Sequence, residues 1–284
     1  LSLNFEPVKI KSALIPVDLS EYSLKILDYA HVLKSIGVEK AYLLHVIEHS
    51  AIEHLASFDL ESLIETLKSE ASKALEKVKE GFSRRGLEAE VLEVEVGHPA
   101  REVANKSIEN NASIIAMMSR GKGFLRVKLF GSVAEEVLNM CAKPTLIFKE
   151  RGESARREIK AILAPLALDD IDDKILSYSL TLAQSLGSEI LIAHIMKKGE
   201  KGREATERLG AIAERLREHG VKTDFITSVG EVCREILEIA EHTNADMIVL
   251  GDNECAERPE ARLRGRSVID CVVRRFRRHA FVVF

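Results

Sequence analysis

The chain reads as two tandem α/β domains, each an open sheet of five parallel strands covered by helices on both faces. Three observations predict this. Strand-like runs alternate with helix-like runs, the order that builds parallel sheets by crossover connections. The strand runs are apolar on both faces, as strands buried between two helical layers must be. The whole pattern then occurs twice in the same order.

The repeat is visible residue by residue. KSALIPVDLSEYSLKILDYAHVLKSIG (Lys11–Gly37) followed by AYLLHVIE (Ala41–Glu48) returns as KAILAPLALDDIDDKILSYSLTLAQSLG (Lys160–Gly187) followed by EILIAHIM (Glu189–Met196). Pro16 recurs as Pro165 and His45 as His194. EVGHPAREVANKSIENNASIIAMM (Glu95–Met118) answers SVGEVCREILEIAEHTNADMIVLG (Ser228–Gly251), and TLIFK (Thr145–Lys149) answers AFVVF (Ala280–Phe284). The polar stretch Arg151–Lys160 separates the copies and predicts an inter-domain linker, giving domains 1–150 and 151–284.

Within the first repeat, Ala13–Val17, Ala41–Ile47, Ala89–Val96, Ser113–Met117 and Pro144–Phe148 are short apolar or β-branched runs and predict the five strands. Leu24, Leu27, Ala30 and His31 follow Ser20 at helical spacing, with Ser20 as the cap. The first repeat is longer by an insertion around residues 51–85. Leu60, Leu63, Ile64, Leu67, Ala71, Ala74, Leu75 and Val78 recur there every three or four residues and predict a long amphipathic helix with a core-facing stripe. Its counterpart is shorter, with Leu209, Ile212, Ala213 and Leu216 before Gly220.

Composition narrows the function classes. The 284 residues carry 41 Lys and Arg against 45 Asp and Glu, a net charge of −4, which gives no global attraction to nucleic acid or to an anionic membrane. No apolar run approaches the roughly 20 residues of a bilayer span, and no leader-like segment opens the sequence. Cys141, Cys233, Cys255 and Cys271 are scattered without a CxxC pair, which predicts free thiols, neither a disulfide framework nor a zinc ribbon, and a cytoplasmic setting.

One segment carries candidate chemistry. After the strand Ser113–Met117 come Ser119-Arg120-Gly121-Lys122-Gly123 and then Gly131-Ser132-Val133, which opens a helix over Val133–Met140. A glycine-rich turn and a helix N-terminus present backbone N–H groups to an anion, and the Ser119 and Ser132 hydroxyls add donors. The loop lies at the carboxyl end of a parallel strand, where open α/β sheets bind ligands. It is neither a GK[ST] phosphate loop nor a GxGxxG turn. Asp18, ending Pro16-Val17-Asp18, brings a carboxylate to the same edge, suited to an adenine amine or a ribose hydroxyl, or else to the N-terminus of the following helix.

These residues resemble the universal stress protein family, and nearly the whole chain resembles a tandem member of it. The family loop G-x2-G-x9-G-[ST] is matched by Met118-Ser119-Arg120-Gly121, nine residues, and Gly131-Ser132, with Met118 in place of the first glycine. Pro16-Val17-Asp18 and Leu43-Leu44-His45-Val46 resemble the family's first two strands. The resemblance implies a Rossmann-like fold of the adenine-nucleotide alpha-hydrolase type. It implies an internal pseudo-dimer paired through the last strands, and it allows a homodimer of tandem chains. It further implies binding of ATP or AMP, with or without Mg²⁺, by Pro16, Val17, Asp18, Val46, Met118, Ser119, Gly121, Gly131, Ser132 and Val133. Asp18 and Val46 would hold the adenosine, and Gly121, Gly131 and Ser132 the phosphates. Some family members bind no nucleotide, and Met118 brings a side chain where the glycine lets backbone and ligand approach.

The second repeat departs further. Ala167 stands for the aspartate, Glu254 for the second glycine, and the spacing to Ser267 is longer by two, so this repeat is expected to be empty. His45, His49 and His54 are not expected to converge on a metal. Arg274, Arg275, Arg277 and Arg278 are read as cations late in the last helix, offsetting its dipole rather than binding RNA. No serine or cysteine has an evident base partner. Three functions therefore stand in order: a nucleotide-binding stress or signalling module, a scaffold acting through an unknown protein partner, and a slow ATP hydrolase.

Overall fold

The computed structural model describes residues 4–49, 52, 60–119, 132–140, 142–149, 158–196, 202–253 and 268–284. They form two compact units: one holds residues 10–119 and 132–148, the other residues 149–284 together with the N-terminal residues 4–9.

The first unit begins with β1 (Ser12–Pro16), a 3₁₀ helix over Ser23–Tyr29 that passes directly into α1 (Ala30–Ser35), then β2 (Lys40–Leu44) and β3 (Val46–Glu48). It continues with α2 (Leu60–Ser83), β4 (Glu88–Val91), β5 (Glu95–Gly97), α3 (Pro99–Glu109), β6 (Ile114–Met118), α4 (Ser132–Met140) and β7 (Thr145–Phe148). The sheet order is β7-β6-β1-β2-β4, and every pairing in it is parallel. Ile114, Ile115 and Ala116 of β6 and Leu146, Ile147 and Phe148 of β7 are fully buried, as apolar strands covered on both faces require.

The predicted strands Ala41–Ile47 and Ala89–Val96 are each divided. His45 separates β2 from β3, its Nδ1 lying 2.7 Å from the Val17 carbonyl oxygen, and β3 and β5 pair with each other as a small parallel ribbon. Ser20 Oγ accepts the Ser23 N–H at 3.2 Å, but the cap position is Tyr22, which makes no side-chain cap, and the helix that follows is 3₁₀ rather than α-helical. The predicted stripe of α2 is core only in its second half. Ala71, Leu75, Val78 and Phe82 are buried, whereas Leu60 is 43 % exposed.

The second unit repeats the order with β8 (Ala161–Pro165), α5 (Asp172–Leu186), β9 (Glu189–Met196), α6 (Gly202–Glu218), β10 (Thr223–Val229), α7 (Val232–His242), β11 (Met247–Gly251), α8 (Val268–Arg275) and β12 (His279–Val283). Its sheet runs β10-β9-β8-β11-β12, again with parallel pairings. Gly187 ends α5 in the left-handed region at φ 66°, a conformation glycine adopts without steric cost.

Two features of this unit were not foreseen. Cys233 on α7 and Cys271 on α8 form a disulfide, although 38 residues separate them. This corrects the expectation of free thiols and removes its argument for a reducing compartment. The fold sets the two helices side by side and brings the Cα atoms to 6.2 Å, a proximity that sequence spacing does not encode. Cys141 and Cys255 lie outside the described residues. The other feature is the N-terminal arm. Phe5 is fully buried, with the Arg215 guanidinium 4.9 Å from its ring centroid, and Thr181 Oγ1 accepts the Val8 N–H at 2.8 Å.

Candidate functional site

The parallel registers bring three sequence-predicted segments to one carboxyl edge of the first unit. Pro16 of β1 pairs with Leu44 of β2, the Val17 N–H donates to the Leu44 carbonyl at 2.8 Å, and β6 pairs with β1 on its other side. Pro16 therefore ends the central strand with Val17 and Asp18 directly after it, Val46 opens β3 just past β2, and Met118 ends β6 with Ser119 next in the chain. Ser132 and Val133 form the first turn of α4, with Ser132 exposed. Gly121 and Gly131 lie outside the described residues.

Asp18 is exposed. Its Oδ1 accepts the backbone N–H of Ser20 at 2.9 Å and the Ser20 hydroxyl at 2.6 Å, so the turn fixes the carboxylate without burying it. Between them Leu19 sits at φ 61°, an uncommon region for a leucine, and its counterpart Leu168 in the second repeat does the same at φ 63°. Both repeats thus hold a strained turn at this edge.

Ser119 is the polar group this edge leaves unanswered. It is 2 % exposed, and its Oγ has no hydrogen-bond partner among the described residues. Its backbone is fully used, the N–H donating to the Phe148 carbonyl at 2.9 Å and the carbonyl accepting the Tyr22 hydroxyl at 2.6 Å. A buried hydroxyl without a partner carries a desolvation cost that a polar ligand would offset. Sequence reading missed Tyr22, which reaches Ser119 across 97 positions and left no motif to find.

At the equivalent edge of the second unit the groups are satisfied from within. Asp172 takes the N–H groups of Ala167 at 3.1 Å and Leu168 at 2.7 Å. Burial pushes the Asp172 carboxyl up to about 6, against the opposing pull of those backbone N–H groups. Gly251, which matches Met118, has no room above it: a Cβ there would stand 2.5 Å from Ile171 and 2.9 Å from Ile175. Ile171 and Ile175 are themselves buried. His194 repeats the contact of His45, with Nδ1 2.8 Å from the Leu166 carbonyl oxygen.

No group of three metal-ligating side chains occurs among the described residues, and no described helix is long and apolar enough to cross a membrane. His45 is engaged with Val17, and His54 lies outside the described residues. The arginine cluster also differs from its reading, because α8 ends at Arg275 and leaves Arg277 and Arg278 beyond the helix.

Two doubly wound parallel units, repeated along one chain and each with a polar turn at the carboxyl edge of its first strand, define a tandem α/β protein. The universal stress protein family pattern matches this sequence twice, over residues 9–149 and 158–283, and the chain belongs to that family. Universal stress protein MJ0577 of Methanocaldococcus jannaschii is 30 % identical over 160 residues, covering 51 % of this chain and 98 % of its own length. Universal stress protein MJ0531 of the same organism is 34 % identical over 144 residues, covering 49 % of this chain and 82 % of its own. The crystal structure of a universal stress protein from Archaeoglobus fulgidus DSM 4304 superposes with a TM-score of 0.80 at 28 % identity, covering 97 % of this chain and 96 % of that one.

Proposed function

We propose that the chain binds an adenine nucleotide, ATP or AMP, at the carboxyl edge of the first unit, and acts as a nucleotide-responsive module in stress response or signalling. The observation that carries this is the buried Ser119 hydroxyl, without a hydrogen-bond partner among the described residues, at an edge that also holds the exposed Asp18 carboxylate. The residues fit such a group. Asp18 offers acceptor lone pairs to an adenine amine or ribose hydroxyl. Val46 and Val17 supply apolar surface beside it, and the first turn of α4, opened by Ser132 and Val133, offers N–H donors to phosphate. When bound, the nucleotide supplies a polyanion that these residues orient, and Ser119 gives it a donor. The self-filled edge of the second unit, closed by Asp172, Ile171 and Ile175, supports a single site per chain.

Calorimetric titration of the full chain with ATP and with AMP, with and without Mg²⁺, tests this. The expected result is one site, weakened by Asp18→Asn and by Ser132→Asp, and unchanged by Asn253→Asp in the second unit. Two sites per chain would overturn the asymmetry. No binding by the native chain would favour the partner-protein scaffold, the reading that Met118 at the glycine position supports.

A further inference from the structure

The arginine cluster of the second unit divides into two pairs with different duties. Arg274 is held by Asp270 through its Nε, and Arg278 is held by the Ala245 carbonyl at 2.6 Å and the Asn244 side chain at 3.3 Å. Capping the helix falls to neither Arg275 nor Arg277. The carbonyls of Val273 and Phe276 at the end of α8 accept from Lys149 Nζ, the latter at 2.6 Å, so a buried lysine from beyond the helix occupies its negative end. Arg275 and Arg277 remain exposed, Arg275 donating from Nη1 to the Cys271 sulfur at 3.8 Å. They stand on a groove of about 360 Å³ whose opposite wall is Leu237, Ala240 and Glu241 of α7. The floor is apolar, with Ala240 and Phe276 buried and Leu237 half-buried.

We propose that this groove between α7 and α8 receives an acidic segment of a partner protein, with carboxylates on Arg275 and Arg277 and an apolar side chain over Leu237 and Ala240. Guanidinium groups match carboxylates in geometry and charge, and two exposed on one wall supply a local positive complement in a chain whose net charge is −4. The apolar floor gives an aliphatic side chain a place beside those charges, which a bare inorganic anion would not use. Nucleic acid fits poorly. Phe276 is 7 % exposed and offers no face for stacking. The groove walls are fixed in advance, because the Cys233–Cys271 disulfide joins the same two helices, which lowers the ordering cost of binding.

The test uses the full chain and a fluorescein-labelled twelve-residue peptide of alternating Glu and Leu, followed by anisotropy. Binding is expected, falling with added salt, and weakened at least about tenfold by Arg275→Glu with Arg277→Glu. Replacing the peptide leucines with serine, or Leu237 with Asp, is expected to weaken it as well. Arg234→Glu, on α7 but outside the groove, is expected to leave it unchanged, and circular dichroism checks that each variant is folded. The proposal fails if the peptide does not bind, if the double arginine variant binds it equally, if the serine peptide binds as well as the leucine one, or if inorganic phosphate or single-stranded DNA displaces it at lower concentration than unlabelled peptide does.

Discussion

Asp172 and Lys149 are single side chains whose burial makes stability depend on pH, in opposite senses across different ranges. Asp172 titrates near 6 in the folded chain against 3.8 when free, because burial disfavours its charged form. The folded state therefore holds the extra proton between these values, and its contribution, about 3 kcal/mol, is complete below pH 4 and lost as pH rises through 6. Asp172→Asn should flatten that part of a denaturant-melting profile. It should also destabilise the second unit by about 1–3 kcal/mol at neutral pH, since one amide oxygen replaces two acceptors for the Ala167 and Leu168 N–H groups. Lys149, 1 % exposed, is held down to about 7 by desolvation alone. Between pH 7 and 10.5 the unfolded chain carries the proton and the folded chain does not, so stability should rise with pH by up to about 1.4 kcal/mol per unit. Lys149→Met should remove that slope. An unchanged slope in chemical denaturation at pH 7, 8 and 9 would mean that the amine stays charged on its two carbonyls. Neither behaviour was legible in the sequence, because Lys149 directly follows an apolar strand and Asp172 sits in an ordinary acidic run.

Elements were legible where their pattern is local and obscure where partners are distant. The strand runs and the α2 periodicity gave types correctly, since buried strands and amphipathic helices carry their environment in their own spacing. The division of β2 from β3 was not, because it depends on His45 meeting the Val17 carbonyl 28 positions away. The link between α7 and α8 was misread for the same reason. Cys233 lies 1 % exposed at the start of α7, and its only sequence signal is a cysteine 38 residues later. Such a cross-link constrains the unfolded chain by roughly 2–4 kcal/mol. Urea unfolding with and without dithiothreitol should show the second unit losing about that much on reduction, and Cys271→Ser should reproduce the loss and abolish the effect of the reductant. If reduced and oxidised protein unfold at the same urea concentration, the two helices are held by their packing alone.

For the whole molecule, the sequence carried the tandem plan because duplication leaves matched residues, and even unusual conformations are shared: Leu19 with Leu168, and Asn111 at φ 46° with Asn244 at φ 53°. It carried less of the difference between the copies. Ala167 announced a missing carboxylate, but not that Asp172 and two isoleucines fill the edge instead. That difference predicts where a ligand would be felt. A nucleotide that binds only the folded first unit stabilises it by mass action, about 2.7 kcal/mol at a hundredfold excess over its Kd. Hydrogen exchange of the full chain with saturating AMP should therefore slow amides of β1, β6 and the first turn of α4. The amides of Ala167 and Leu168 should exchange at the same rate with or without it, because Asp172 already holds them. Asp18→Asn should return the first unit's amides toward their unliganded rates. Equal protection of both edges would show that the second unit can exchange its internal carboxylate for a ligand. Protection of the second edge alone would reverse the assignment of the site.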